Sequence, residues 1–204
     1  TQSIWPAAIF HAVNNGNPNI TAFFINADIF LGERELMKSA YYANKIPKYI
    51  DEINCGNRIV ASIWEIRKIL ANDMKEFNCD TIFAHNARFD LNALNTTVRY
   101  LSKSVCRFFF PYNTTIWDTL KMARDIFGKM PTYINYCKKH NFMTKHKTPQ
   151  PRFTAEILYR FISGKYNFVE SHTGLEDVEI ETKILKECFR QHKKMRKNLF
   201  ERTA

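Results

Sequence analysis

The chain has 204 residues, with 30 Lys and Arg against 20 Asp and Glu, for a formal charge of +10. Its 45% hydrophobic and 25% charged residues exclude a disordered chain, and the length suits one domain with a full-sized core. No apolar run approaches the ~18–20 residues of a membrane span; even residues 59–77 are broken by charges, so no integral membrane protein and no membrane partner is expected.

Thr1 is not a start methionine, and residues 1–8 show no basic flank leading into an apolar core, so no signal peptide is visible. The five cysteines, Cys55, Cys79, Cys106, Cys137 and Cys188, are odd in number and form no C-x-x-C pair. That is the usage of a reducing compartment, and a cytoplasmic location is expected. The excess positive charge favours polyanionic partners, nucleic acid first among them.

In chain order, residues 4–13 and 20–27 are apolar runs around a dense Asn/Gly/Pro cluster, which predicts a hairpin. Ile59, Ile63, Ile66, Leu70, Met74 and Phe77 recur at helical spacing, which predicts a helix of about five turns over residues 59–77. A short strand at residues 81–84 leads through a polar turn into a helix over residues 89–101. A second β-like segment, residues 114–117, runs into Asp118, which can cap a helix over residues 119–127. Pro131 opens a further helix through His140. Residues 143–152 read as a basic loop, followed by helices over 153–162 and 175–195, the last leading into a basic end at 190–204. Strands first and helices later, with two β-to-α transitions, predict an α/β domain with a mixed sheet flanked by helices.

The chemistry concentrates in two places. Phe83-Ala84-His85-Asn86-Ala87-Arg88-Phe89-Asp90 delivers a polar turn at the carboxyl edge of a strand, where open α/β sheets place ligands. Asp90 then falls in the first turn of the next helix, a position any acid finds favourable. Ser171-His172-Thr173-Gly174-Leu175-Glu176-Asp177 puts a histidine shortly before a helix and an aspartate within its first turns. A carboxylate suits a hard divalent cation, and a histidine titrating near neutrality suits proton abstraction from water. Alone, the H-x4-D spacing is common in loops that begin helices.

Together, N-x-x-F-D at residues 86–90 and His172 with Asp177 resemble the second and third motifs of the DEDDh family of 3′–5′ exonucleases. Between them, Trp117-Asp118-Thr119-Leu120-Lys121-Met122-Ala123-Arg124 resembles the family's D-T-L-x-x-A-R step. The resemblance implies a ribonuclease H-like mixed sheet with acids gathered around two divalent metals, Mg2+ or Mn2+. It implies Asp90 and Asp177 as metal ligands, His172 as general base, and removal of nucleoside monophosphates from a 3′ end, DNA in preference to RNA. The family's first motif, Asp-x-Glu on the first strand, is absent. Asp28 falls late in a predicted strand and Glu33 and Glu35 in a predicted loop, so the missing motif and its strand are expected upstream of Thr1.

Asn86, Arg88, Lys145 and Lys147 are candidate substrate contacts; Lys138, Lys139, His146 and Arg152 belong to the same basic region. Residues 193–197 read as an ordinary charged helix end. Cys137, His140 and His146 are too few ligands for zinc. His85 reads as a turn residue, and Trp64 and the three phenylalanines at 108–110 as core. Two other functional classes stay open: a non-catalytic nucleic-acid-binding module, and an interaction domain of a polymerase or repair assembly. A homodimer is a further expected context.

Overall fold

The computed structural model describes residues 7–14, 17–38, 43–170 and 174–201. The chain is α/β with mixed strand pairing, and it divides into two compact units, residues 1–80 with 89–114 and residues 81–88 with 115–204.

The first unit opens with the expected hairpin. β1 (Ala7–Asn14) pairs antiparallel with β2 (Asn17–Asn26), and the register shifts between Ala12 and Val13. Two short helices, α1 (Ala27–Phe30) and α2 (Arg34–Lys38), and then α3 (Ile46–Asn54) follow. Ile29, Phe30, Met37 and Tyr49 form one small core among them. Beside it, the buried Arg58 guanidinium lies over the Tyr49 ring and meets the Glu52 carboxylate at 2.5 Å.

The helix predicted from residue 59 begins later. Ile59–Ala61 forms β3, parallel to β2, and α4 runs from Ile63 to Glu76. The β-branched pair Ile59-Val60 suits a strand, and a capping box fixes the boundary. Ser62 Oγ accepts from Glu65 N, while Ser62 N donates to the Glu65 carboxylate at 2.7 Å. Ile63, Ile66 and Leu70 point inward from α4 to pack with Val98 of α5 (Ala87–Ser102) and with Phe109. Both backbone polar groups of Phe109 are held: its N–H donates to Asn95 Oδ1 at 2.9 Å and its carbonyl accepts from Arg67 Nε at 2.6 Å.

Trp64 and Phe108 are not core. They are 37% and 55% exposed, with the Arg107 and Arg99 guanidinium groups over their rings. A residue one step beyond Ile63 is turned about 100° around the helix, away from the buried stripe.

In the second unit, β4 (Thr81–Ala84) and β5 (Thr115–Asp118) pair in parallel, with Ala84 opposite Asp118. α6 (Thr119–Phe127) follows β5 without a loop, α7 (Pro131–Lys139) starts on its proline, and α8 (Ala155–Ser163) starts on a Thr154 cap. α9 (Gly174–Arg190) completes a core of Met122, Ile126 and Phe127 with Tyr133, Leu158, Ile180 and Ile184. Cys137 and Cys188 are buried in that core as thiols, and burial pushes Cys188 up to about 12.

The last helix stops at Arg190 rather than reaching residue 195. His192 adopts a left-handed φ of 49°, which ends a helix as an αL cap does. The basic run beyond it is therefore no helix end. It is an extended segment laid against β5: Asp118 N donates to Lys197 O, Leu199 N donates to Ile116 O, and Trp117 bridges Asn198 antiparallel. Arg196 grips Asp125 of α6 with two guanidinium bonds of 2.7 and 2.8 Å, and these hold the Asp125 carboxyl below its usual range.

The capping box gives a direct test. Ser62→Ala should lower stability by about 1 kcal/mol in urea unfolding, while Ser62→Asp should retain most of it.

Candidate active site

The N-x-x-F-D segment is built by the turn after β4. Asn86 adopts a left-handed φ of 67°, a conformation asparagine tolerates better than other side-chain-bearing residues. Its N–H donates to Asp118 Oδ1 at 3.0 Å, and Leu120 N donates to the same oxygen at 3.0 Å. Asp118 is 4% exposed. Its carboxylate therefore serves as a buried clamp between the two strand-to-helix steps.

His85 is held on both sides of its ring. Nε2 lies 2.7 Å from the Phe153 carbonyl and Nδ1 lies 3.0 Å from Thr119 Oγ1. A carbonyl only accepts, so the proton sits on Nε2, and Nδ1 faces the Thr119 hydroxyl, which also lies 3.4 Å from the Ala84 carbonyl. Burial lowers the imidazole's affinity for a second proton. This is a neutral structural histidine with no nitrogen left to act on water.

Asp90 stands half-buried in the first turn of α5, while Arg88, two residues earlier, is exposed. Asp90 belongs to the first compact unit and Asp177 to the second. Three early acids have other work. Asp28, which lies in α1 rather than late in a strand, accepts from Ile63 N at 3.0 Å; Glu33 accepts from the Tyr100 hydroxyl; Glu35, in α2 rather than a loop, pairs with Lys38 on the surface.

Asp177 lies in the first turn of α9, beside carboxylates that the sequence motifs did not flag. Glu170 hydrogen-bonds Asp177, and Glu170 N donates to Glu156 Oε2 at 3.1 Å. Burial, then the neighbouring charges of Asp177, Glu156 and Glu176, push the Glu170 carboxyl up to about 7. Glu156 is neutralised in part by Arg160, at 2.6 Å. Glu170 precedes His172 by two residues, and its only sequence signal is that proximity. His172 itself lies outside the described residues.

Lys145 and Lys147 sit exposed at the tip of a closed hairpin-like loop. Thr144 N donates to Gln150 O, Gln150 N to Thr144 Oγ1, and Arg152 N to Phe142 O, with Met143 bridging Pro151. These bonds close the base of the loop, and its charges are presented to solvent. Among the described residues, no group of three or more His, Cys, Asp or Glu is placed to hold a metal ion. Comparison with known proteins finds no matching family model, no matching curated protein and no matching solved structure.

The Glu170 carboxyl makes stability depend on pH. Its folded affinity for a proton is raised from 4.5 to about 7, so the stabilisation is complete below the unfolded value and is lost as pH rises through the folded one. Urea unfolding in chelator should show a loss on the order of 1 kcal/mol between about pH 5 and pH 8, given the group's partial exposure. Glu170→Gln should flatten that dependence.

Proposed function

We propose that this chain carries the second and third motifs of a divalent-metal-dependent 3′–5′ exonuclease of the DEDDh type, with a ribonuclease H-like fold. It hydrolyses phosphodiester bonds at nucleic-acid 3′ ends, DNA in preference to RNA. The observation that carries this reading is the pair of consecutive parallel strand-to-helix steps, β4 to α5 and β5 to α6. N-x-x-F-D spans the first and D-T-L-x-x-A-R the second, and the two are tied through Asp118. The antiparallel hairpin ahead of them and the basic charge of the chain agree with it.

The donor chemistry at Asp177 suits a hard cation. Two carboxylates in contact, one of them pushed up to about 7, are short of positive charge, and oxygen ligands are what Mg2+ and Mn2+ take. Asp177 and Asp90 are the proposed ligands. A bound divalent cation would supply charge neutralisation for the approaching phosphodiester and acidify a water. Further carboxylates are required to complete such a centre, since the early acids are engaged elsewhere. His172 is the proposed acceptor of the water's proton, while Arg88 and Asn86, exposed at the β4–α5 turn, and Lys145 and Lys147 are proposed to meet the strand.

A second reading, a nucleic-acid-binding module without catalysis, rests on the basic charge of the chain and the exposed Lys145 and Lys147, which need no metal to meet a phosphate chain. A 5′-labelled oligonucleotide incubated with full-length protein and Mg2+ or Mn2+ separates the two. The exonuclease reading expects a ladder shortened from the 3′ end, reduced at least a hundredfold by Asp177→Ala. Binding that weakens steeply with salt, without any shortening, would establish the module instead.

A further inference from the structure

The second unit holds a cavity of about 390 Å³ whose wall is one stripe of α7. Thr132, Asn135, Tyr136 and Lys139 recur at helical spacing and are all on that stripe, continued by His140 just past the helix end. Phe161 of α8 supplies the apolar side, and Tyr166, two residues after the left-handed Gly164 that ends α8, closes it. The volume lies in the range of small-ligand pockets, ~300–1,000 Å³. None of the lining residues is acidic.

The rings here are ordered as a ladder. Phe142 and His140 are within 17° of parallel at 6.0 Å between centroids, and His140 and Tyr166 within 12° at 5.8 Å. The Arg160 guanidinium lies over Phe142 at the inner end. At the outer end Tyr166 is 55% exposed, so the stack stops on a ring open to solvent. Tyr136, 9% exposed, contributes its ring to the wall, while its hydroxyl is shut from solvent and has no hydrogen-bond partner among the described residues. Lys139 is an exposed cation of the lining, and the lysines next in sequence to lining residues, Lys138 on α7 and Lys165 before Tyr166, are exposed as well.

We propose that this cavity binds a nucleotide of a single-stranded polynucleotide, its base stacking on the Tyr166–His140 ladder and its phosphate meeting Lys139. A flat aromatic ligand continues the ladder, the Asn135 amide offers both a donor and an acceptor to a base edge, and the exposed Lys139 matches a phosphate chain. A bare polyanion would use the lysines and leave the rings idle. The site needs no metal and is independent of the hydrolytic reading, so either can fail without the other.

The test is fluorescence anisotropy on the full chain in chelator, which prevents cleavage, with three probes: a labelled single-stranded DNA, a strand of equal length made of abasic sites, and free AMP as competitor. The base-bearing strand should bind more tightly than the abasic one. Tyr166→Ala should weaken the base-bearing strand roughly tenfold and leave the abasic strand unchanged, while Tyr166→Phe should bind as the parent does. Equal binding of the two strands, or no loss in Tyr166→Ala, overturns the proposal. AMP competing as strongly as the DNA would make the site one for a free nucleotide and overturn the polynucleotide assignment. Failure of both strands to bind would overturn it as well.

Discussion

The second unit depends on one buried carboxylate. Asp118 ends β5, caps α6 through Leu120 N, and through the same oxygen receives the N–H of Asn86 at the turn after β4. An ionised group at 4% exposure is costly unless its lone pairs are used. Here two amides bond one of its oxygens, Oδ1, and fix where two parallel strands hand over to two helices. The backbone of the same residue donates to Lys197, so one aspartate organises a turn, a helix start and a terminal segment at once.

Around that clamp the unit is held by a dense aromatic and aliphatic core, with Phe127 and Tyr133 at its centre and Phe161 edge-on to both. The Tyr133 hydroxyl reaches the Arg152 carbonyl, tying the base of the basic loop to the same core. The lysines of that loop, Lys145 and Lys147, stay exposed above this packing. The first unit has two smaller cores and a surface where arginines cover Trp64 and Phe108.

Much of the local architecture was legible. The helix from Thr119 to Phe127 follows from an aspartate cap and regular apolar spacing, and Pro131 marks the start of α7. Sequence periodicity places the start of α4 too early, at residue 59, because an apolar residue there fits both a helical and a strand period; pairing with β2 and the S-x-x-E box of Ser62 to Glu65 decide it. Tertiary contacts decided the rest. The basic run after Arg190 looks like a helix end because nothing local announces His192 as a left-handed stop or Asp125 as the partner of Arg196. Asp90 and Asp177 could be picked out by motif, whereas Glu170 could not, because its raised proton affinity comes from burial and then from neighbours on α8 and α9.

The segment from Lys197 to Leu199 covers one edge of β5, and it follows that strand in the chain by about eighty residues. During translation β5 therefore emerges some eighty residues ahead of the strand partner that shields it, and for that interval its outer edge presents unpaired amides and carbonyls. Co-translational folding of the second unit cannot finish early: α6 can form and collapse onto α7 and α8, but closure waits for residue 199 to leave the ribosome.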